Sequence, residues 1–384
     1  MMKCLEKIIK SILWEQVKPF MDTHQFAYTT GRGVEDATLS LIDFVLKHLD
    51  NANKVNSKYF VKILFVDFSS AFNTIQSHLI MKQLITMDVN CYIILWINEF
   101  LTGRYQYVRY QGGTSDLIIT NTGAPQGCVL SPVLFSIYTS QCKCYDSSTQ
   151  LFKYADDTAL VSQCINNDVV FRHEVEQFVT WCKDNHLELN IKKTKEMIVD
   201  FRKGPVQHDT LYIDNEAVDV VNEYKYLGTI IDDQFKFNSN VDMLYRKARS
   251  RMYFVRQLRK LNIDTKILEI FYTSIVQSVI TFSITSWFGS CSVASKNKLS
   301  RIVNNSCKLG VPNVLSLSDI HFKCTIRLCN KIYKDFTHPL NTKYKFLPSG
   351  KRLQSIKCRT SRYSKTFVPS SIRLLNDEKI ILSM

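Results

Sequence analysis

Acidic side chains are scarce toward the end of this 384-residue chain: residues 241–384 hold 7 Asp and Glu against 26 Lys and Arg, a balance of +19. Residues 1–240 carry 23 basic and 28 acidic side chains, a balance of −5. The net charge of +14 is therefore concentrated, and it points to a polyanionic partner for the basic part. Zinc-finger spacing is also missing. The 12 cysteines are scattered, and neither Cys142-Lys143-Cys144 nor Cys324, Cys329 and His338 has a two-plus-two arrangement. The first residues, Met1-Met2-Lys3-Cys4-Leu5-Glu6-Lys7, are charged and their apolar run is short, so no secretory leader is expected. Reduced thiols in the nucleus or cytoplasm follow as the expectation. No long run is cleanly apolar. Ile270–Phe288 lacks charge, but eight hydroxyl or amide residues between Thr273 and Ser286 interrupt it. That favours a buried helix of a soluble domain over a membrane span. No internal repeat is visible.

What is present is ample core material. At 45% hydrophobic and 12% aromatic, the chain is globular and long enough for two or three domains. Its centre is Tyr154-Ala155-Asp156-Asp157. Strand-like runs flank the two carboxylates, Leu151–Ala155 before and Thr158–Val161 after, so the pair falls where a hairpin turns. An Asp-Asp dipeptide alone is an ordinary turn. A second carboxylate site changes that reading. Val61–Val66 is a strongly apolar strand ending in Asp67. If the two strands are neighbours, three carboxylates meet at one sheet end, a hard-oxygen site suited to Mg²⁺ and to phosphoryl or nucleotidyl transfer.

Along the chain, Leu5, Ile8, Ile9, Ile12 and Leu13 recur at helical spacing within residues 1–20. His24–Gly33 reads as a loop, Val34–Leu49 as a helix, and Ser77–Met87 and Cys91–Leu101 as two more. Arg104–Tyr110 alternates as a strand. Thr122–Cys128 is a Gly/Pro loop entering a helix, a place where backbone can approach a nucleotide. Asp168–Asn185 is helical; Met197–Phe201, Leu211–Ile213 and Tyr226–Ile231 read as strands. Val241–Leu261 is a basic helix. Arg246, Lys247, Arg249, Arg251 and Arg256 stand on it with almost no acids, which suits a phosphate-tracking surface.

Three segments together resemble a known family: Phe65–Phe72, Gly123–Phe135 with its Pro125-Gln126-Gly127, and Tyr154–Asp157. Their order and spacing look like the palm of a reverse transcriptase from a non-LTR (LINE-like) retrotransposon. Gln25–Tyr28, Gly31-Arg32, Asn190–Thr194 and Tyr226-Leu227-Gly228 add to the likeness, which runs to about residue 370. The resemblance implies an α/β right-hand polymerase: partial fingers and an antiparallel palm sheet over 1–235, a helical thumb over 236–310, and a basic C-terminal region over 311–384. It also implies roles. Asp67, Asp156 and Asp157 would bind two Mg²⁺ ions, with Mn²⁺ as a substitute. Lys193 would protonate pyrophosphate, and Arg32 would reach the triphosphate. Phe72 would lie under the sugar and favour dNTPs, with Phe68, Tyr154 and Ala155 also lining the nucleotide site. Gln126 and Gly127 would sit under the nascent base pair. Tyr226, Leu227 and Gly228 would grip the primer, and the basic helix would follow the template–primer duplex.

The implied activity is RNA-directed DNA synthesis from a primer 3′-hydroxyl, with an RNA template, a DNA primer or target and dNTPs as partners and no membrane. The family's usual endonuclease is not in these residues, and the chain is expected to be truncated within its first fingers motif. Thr29 stands where Arg is common. Two rivals remain open: a catalytically silent relic that only binds nucleic acid, and a metal-dependent nuclease. The oligomeric state is not legible.

Overall fold

A computed structural model describes residues 2–52, 57–202 and 208–377. In chain order, α1 spans Met2–Val17 and α2 Val34–Asp50. β1 (Tyr59–Val66) leads to α3 (Ser77–Thr86) and α4 (Cys91–Leu101). Short strands follow: β2 (Arg104–Gln106), β3 (Arg109–Tyr110), β4 (Gly113–Thr114) and β5 (Ile118–Thr120). Then come α5 (Ser131–Tyr138), β6 (Thr149–Tyr154), β7 (Asp157–Ile165) and α6 (Val169–Asp184). β8 (Lys195–Val199), β9 (Tyr212–Ile213), β10 (Glu216–Ala217), β11 (Asp219–Val220), β12 (Glu223–Tyr226) and β13 (Thr229–Asp232) complete the strands. The rest is helical: α7 (Asn238–Lys260), α8 (Thr265–Phe271), a π-helical turn (Tyr272–Gln277), α9 (Ser278–Ile280), α10 (Ile284–Trp287), α11 (Val293–Lys308), α12 (Leu317–Lys334), α13 (Ser361–Ser364) and α14 (Phe367–Asp377).

The chain divides into two compact units. The first comprises Met1–Gly33, Lys62–Glu196 and Pro205–Val220. A mixed sheet in the order β11-β8-β1-β7-β6 runs through it. β6 and β7 pair antiparallel, as the hairpin reading requires, whereas the β8–β11 edge is parallel. β1 is buried at every position but its first, which suits a central strand covered on both faces. That burial takes in Lys62, whose ammonium lies 2.6 Å from Asp168 and 3.0 Å from Glu196. A charge so placed needs such partners. α1 departs from its expected face. It buries Glu6, Leu13 and Val17, while Leu5, Ile8 and Ile12 stay exposed. The apolar spacing was real, but the face that packs is the one carrying a carboxylate with backbone partners. The expected Arg104–Tyr110 strand is interrupted at Tyr107-Val108.

The second unit comprises Val34–Val61, Met197–Gly204 and Val221–Met384. Of the C-terminal stretch expected over 311–384, residues 378–384 lie outside the described residues. α7 buries Val241, Leu244, Ala248, Met252 and Val255 and turns its cations outward. Ile270–Phe288 is not a uniformly buried helix. Leu268, Tyr272, Val276 and Ile280 are buried at four-residue intervals, while Ile267, Ile270 and Phe282 are exposed. The run Thr265–Trp287 is long and apolar enough to cross a membrane by length and composition. Its helix winds through a π turn and is interrupted at Thr281–Ser283, where Ser283 takes φ +50°. Tyr226–Ile231 is a hairpin and not one strand. Tyr226 pairs with Thr229, and Leu227 and Gly228 both take positive φ, the geometry of a two-residue turn.

Candidate functional site

In the first unit, β1 hydrogen-bonds alongside β7. Asp67 follows the last residue of β1 and Asp157 is the first of β7, so the sheet carries both to its connections. The segment after β1 is tied down by backbone. Phe68 bridges antiparallel to Leu189, the Ser69 N–H donates to the Glu188 carbonyl, and the Asn190 N–H donates to the Asp67 carbonyl. Asn190 also closes the turn that follows, accepting from the Lys193 and Thr194 N–H groups. Lys193 thereby places its ammonium 3.7 Å from the Asp67 carboxylate, with most of the lysine side chain in solvent.

Asp156 and Asp157 lie exposed at the β6–β7 turn, where Tyr154 pairs with Asp157. Ala155 is buried there at φ +57°, a conformation L-residues seldom adopt. Gln25, legible from sequence as the first residue of a family-like segment but with no role assigned, holds it. Gln25 is buried, and its side-chain amide oxygen, Oε1, accepts from the N–H of Ala155 (3.1 Å) and of Ala27 (3.2 Å). The same segment adds an edge to β6: Lys153 donates to the His24 carbonyl and Phe26 donates to the Lys153 carbonyl. The Lys153 side chain is buried in turn, ion-paired to Asp22 at 2.6 Å and donating to the Thr139 and Cys142 carbonyls.

The electrostatics show the carboxylates feel one another. Partial desolvation by the surrounding chain first, then the charges of Asp156 and Asp67, push the Asp157 carboxyl up although its outer face is in solvent. Burial, then Asp156 and Tyr154, raise the Tyr28 hydroxyl. Among the described residues, however, no three His, Cys, Asp or Glu side chains form a group that could hold a metal ion.

The Pro125-Gln126-Gly127 loop is anchored from two sides. Gly123 donates to the Ile75 carbonyl and Ala124 to the Phe72 carbonyl. A Cβ on Gly123 would sit 2.9 Å from Asn73 backbone, so this close approach requires glycine. On the other side, the buried Glu6 carboxylate accepts from the N–H of Val129 (2.6 Å) and Leu130 (3.2 Å), just ahead of α5. A lone acid among lysines was its only sequence signal. Gln126 is exposed with its amide 3.3 Å from the Asn73 side-chain oxygen, and Gly127 has φ +78°. Phe72 is half-buried and stacks on Phe135 of α5 at 4.7 Å between ring centres.

Other expected residues are placed differently. Arg32 donates to the Thr23 carbonyl at 2.7 Å, within its own loop. The Phe68 ring lies 6.4 Å from Phe178 of α6, a packing position. In the second unit, Tyr226 is buried, and a Cβ on Gly228 would lie 2.9 Å from the Phe282 ring. On α7, Lys247, Arg249 and Arg256 are exposed, and Arg246 bonds weakly to the Asp242 carbonyl within the helix. Arg251 donates to the Ile275 carbonyl at 2.7 Å, so it braces the π-helical turn.

Comparison with known proteins bears on this arrangement. The chain is 24% identical over 316 residues to the probable RNA-directed DNA polymerase from transposon BS of Drosophila melanogaster, covering 76% of this chain and 34% of that protein. It is 24% identical over 317 residues to the RNA-directed DNA polymerase from mobile element jockey of Drosophila funebris, covering 78% and 33%. A probable polymerase from transposon X-element of Drosophila melanogaster is 23% identical over 330 residues, covering 80% and 34%. The chain thus spans about a third of the length of the curated relatives it matches. Among solved structures, apo telomerase from Candida tropicalis aligns with a TM-score of 0.45 at 12% identity, covering 88% of this chain and 60% of that one. A short family model, the N-terminal part of alkylated DNA repair protein alkB homolog 8, matches residues 237–278. The model for reverse transcriptase (RNA-dependent DNA polymerase) matches residues 1–231, more than half of the chain, and the chain belongs to that family.

Proposed function

We propose that this chain carries out RNA-directed DNA synthesis, joining a dNTP to a primer 3′-hydroxyl opposite an RNA template. The observation that supports the reading is the pairing of β1 with β7, which sets Asp67 close enough to Asp157 for its charge to raise the Asp157 carboxyl. Three carboxylates, with Lys193 beside Asp67 alone, are the donor chemistry of a hard divalent ion. Asp67, Asp156 and Asp157 would hold two Mg²⁺ ions. Such ions, when bound, supply Lewis-acid activation of the hydroxyl and neutralise the leaving pyrophosphate. The chain's own groups do the rest. Lys193, beside Asp67, is the proton donor to the leaving group. Phe72, braced by Phe135, fills the space a ribose 2′-hydroxyl would need. Gln126 and Gly127 support the new base pair, and the exposed cations of α7 follow the duplex backbone.

A primer-extension assay on poly(rA)/oligo(dT) with Mg²⁺ and dTTP tests this. Extension by the wild type, lost in Asp156→Asn, supports it. Absence of extension in both, with tight and salt-sensitive binding, supports a second reading: a relic that only binds nucleic acid. Two observations favour that rival, namely Arg32 held by its own loop and carboxylates not drawn into a metal-ready group among the described residues. Degradation of the primer without dNTPs would instead support a nuclease.

A further inference from the structure

In the first unit, β2 to β5 form one long hairpin that stands apart from the five-stranded sheet. Arg104–Gln106 pairs with Ile118–Thr120, and Arg109-Tyr110 pairs with Gly113-Thr114. Between these, Tyr107-Val108 faces Ser115–Leu117, two residues against three, which is a bulge that twists the ribbon. Val108 and Ser115 close it: the Ser115 N–H donates to the Val108 carbonyl, and the Val108 N–H donates to the Ser115 hydroxyl, both at 2.9 Å. The root is fixed by Arg104, which donates to the carbonyls of Leu101, Thr122 and Gly123.

The ribbon is uncovered on both faces. Tyr105 is 69% exposed and Tyr110 72%, and Tyr107, Val108, Leu117, Ile118 and Ile119 are each more than half exposed. A bare two-stranded ribbon is marginal in water, and so much clustered apolar surface marks a binding face. Its chemistry selects the occupant. From Arg104 to Thr120 there are three tyrosines and two arginines against one acid, Asp116. The Arg109 guanidinium already lies over the Tyr107 ring at 5.9 Å. Aromatic faces with interleaved cations take up unpaired bases and their phosphates. With Arg104 spent on the root, the surface cation is Arg109, and a second copy seated face to face would set that charge against its own twin. The root of the ribbon also opens onto a cleft of about 1130 Å³, lined by Tyr105, Gln106 and Thr120 on one side and by Asn73, Pro125 and Gln126 on the other. A strand leaving Gln126 therefore has an open path onto the Tyr105 face.

We propose that the Arg104–Thr120 ribbon holds the uncopied, single-stranded RNA template ahead of the carboxylates, with bases stacked on Tyr105, Tyr107 and Tyr110. The assignment rests on the polymerase reading above, and its test is separable from it. Binding of the full chain to an RNA template–DNA primer duplex is measured without metal or dNTPs, once blunt and once with a six-nucleotide unpaired RNA 5′ overhang. The wild type is expected to prefer the overhang form by about tenfold or more, the scale of one or two stacked bases. The triple variant Tyr105→Ala, Tyr107→Ala, Tyr110→Ala should bind both forms as the wild type binds the blunt one. The triple Tyr→Phe variant should keep the preference. All three side chains are exposed, so an unchanged melting temperature checks folding. No overhang preference in the wild type, or a preference intact in the alanine variant, overturns the assignment even if primers are extended. So does wild-type self-association that the alanine variant abolishes, with no overhang preference, since the ribbon then joins two copies. An overhang preference carried by the tyrosines in a chain that extends nothing supports the ribbon's RNA contact while removing the polymerase reading.

Discussion

Gln25 acts through a single oxygen. That atom accepts from Ala27 and from Ala155, and Ala155 is the left-handed residue that turns β6 into the Asp pair. Gln25→Ala leaves two buried N–H groups without their acceptor, at a cost of about 2 kcal/mol. The expected outcome is a lower melting temperature together with at least tenfold slower extension, read by thermal denaturation and single-turnover kinetics. Gln25→Glu keeps an acceptor but buries a carboxylate beside the Asp pair, so it should recover stability at acid pH and not at pH 7. Asp157 gives a pH signature. Its folded-state pKa is raised, so the folded protein holds that proton to higher pH than the unfolded chain does. Ionising Asp157 therefore costs stability above the raised value, and the cost vanishes below the ordinary carboxylate range. Asp157→Asn should raise the melting temperature at pH 7 and leave it unchanged at pH 3. An equal rise at both would show that charge repulsion is not the cause.

At the level of elements, the β12–β13 turn shows what a motif can conceal. Tyr226-Leu227-Gly228 is legible as a segment with a role, but its fragment reads as strand because Tyr, Leu, Thr and Ile all favour extended backbone. The turn exists because Gly228 accepts φ +87° with the Phe282 ring against it. Gly228→Ala should cost about 1–2 kcal/mol for the left-handed backbone alone. Adding Phe282→Leu should relieve only the ring contact, so most of the loss should persist in the double variant; full recovery would assign the loss to the clash. α7 was legible in position to within three residues, and its cations were, but only part of its buried stripe was: Met252 and Val255 pack inward, whereas the neighbouring Phe254 is exposed. Its Arg251 was not. Whether an arginine meets phosphate or a carbonyl on the next helix depends on where that helix runs, which residue spacing does not encode.

At the scale of the whole chain, the basic excess after residue 240 is only partly available to an anion. α2 carries Asp36, Asp43 and Asp50 one heptad apart, and all three are buried. Asp36 pairs with Lys331 at 2.6 Å and with His338 at 3.2 Å. The Leu340 N–H donates to the other His338 ring nitrogen, which leaves Nε2 to donate to Asp36. Asp43 accepts from the Tyr363 hydroxyl at 3.0 Å and lies 3.4 Å from Lys343, and Asp50 accepts from the N–H groups of Arg359 and Thr360. Beside these, Leu39 joins a core with Leu328, Ile332, Tyr344, Phe367 and Ile372. Removing Lys331 or His338 takes one partner from a buried carboxylate, and Asp36→Ala takes the shared acceptor from both; Asp36→Ala should lower the melting temperature, at a cost of about 2 kcal/mol. Deleting residues 311–384 bares all three acids and this core, so the shortened chain is expected to lose cooperative unfolding and precipitate. A soluble, cooperatively folding deletion would show that the basic end is an independent appendage.

The residues by themselves determined the family, the placement of Asp67 before one turn and of Asp156-Asp157 at another, and the positions of α1 to α4, α6 and α7, because these follow from local periodicity and from short motifs whose chemistry is carried by residue type. Tertiary structure alone decided which strand lies beside β1, that Gln25 and Glu6 hold the two loops, that Arg32 and Arg251 turn to carbonyls, and that α2 is the anchor for the C-terminal helices. The physical reason is range. A turn or an amphipathic helix is specified by neighbours a few positions apart, whereas a buried hydrogen-bond acceptor or an ion pair is specified by groups more than three hundred positions away that only the folded chain brings to contact.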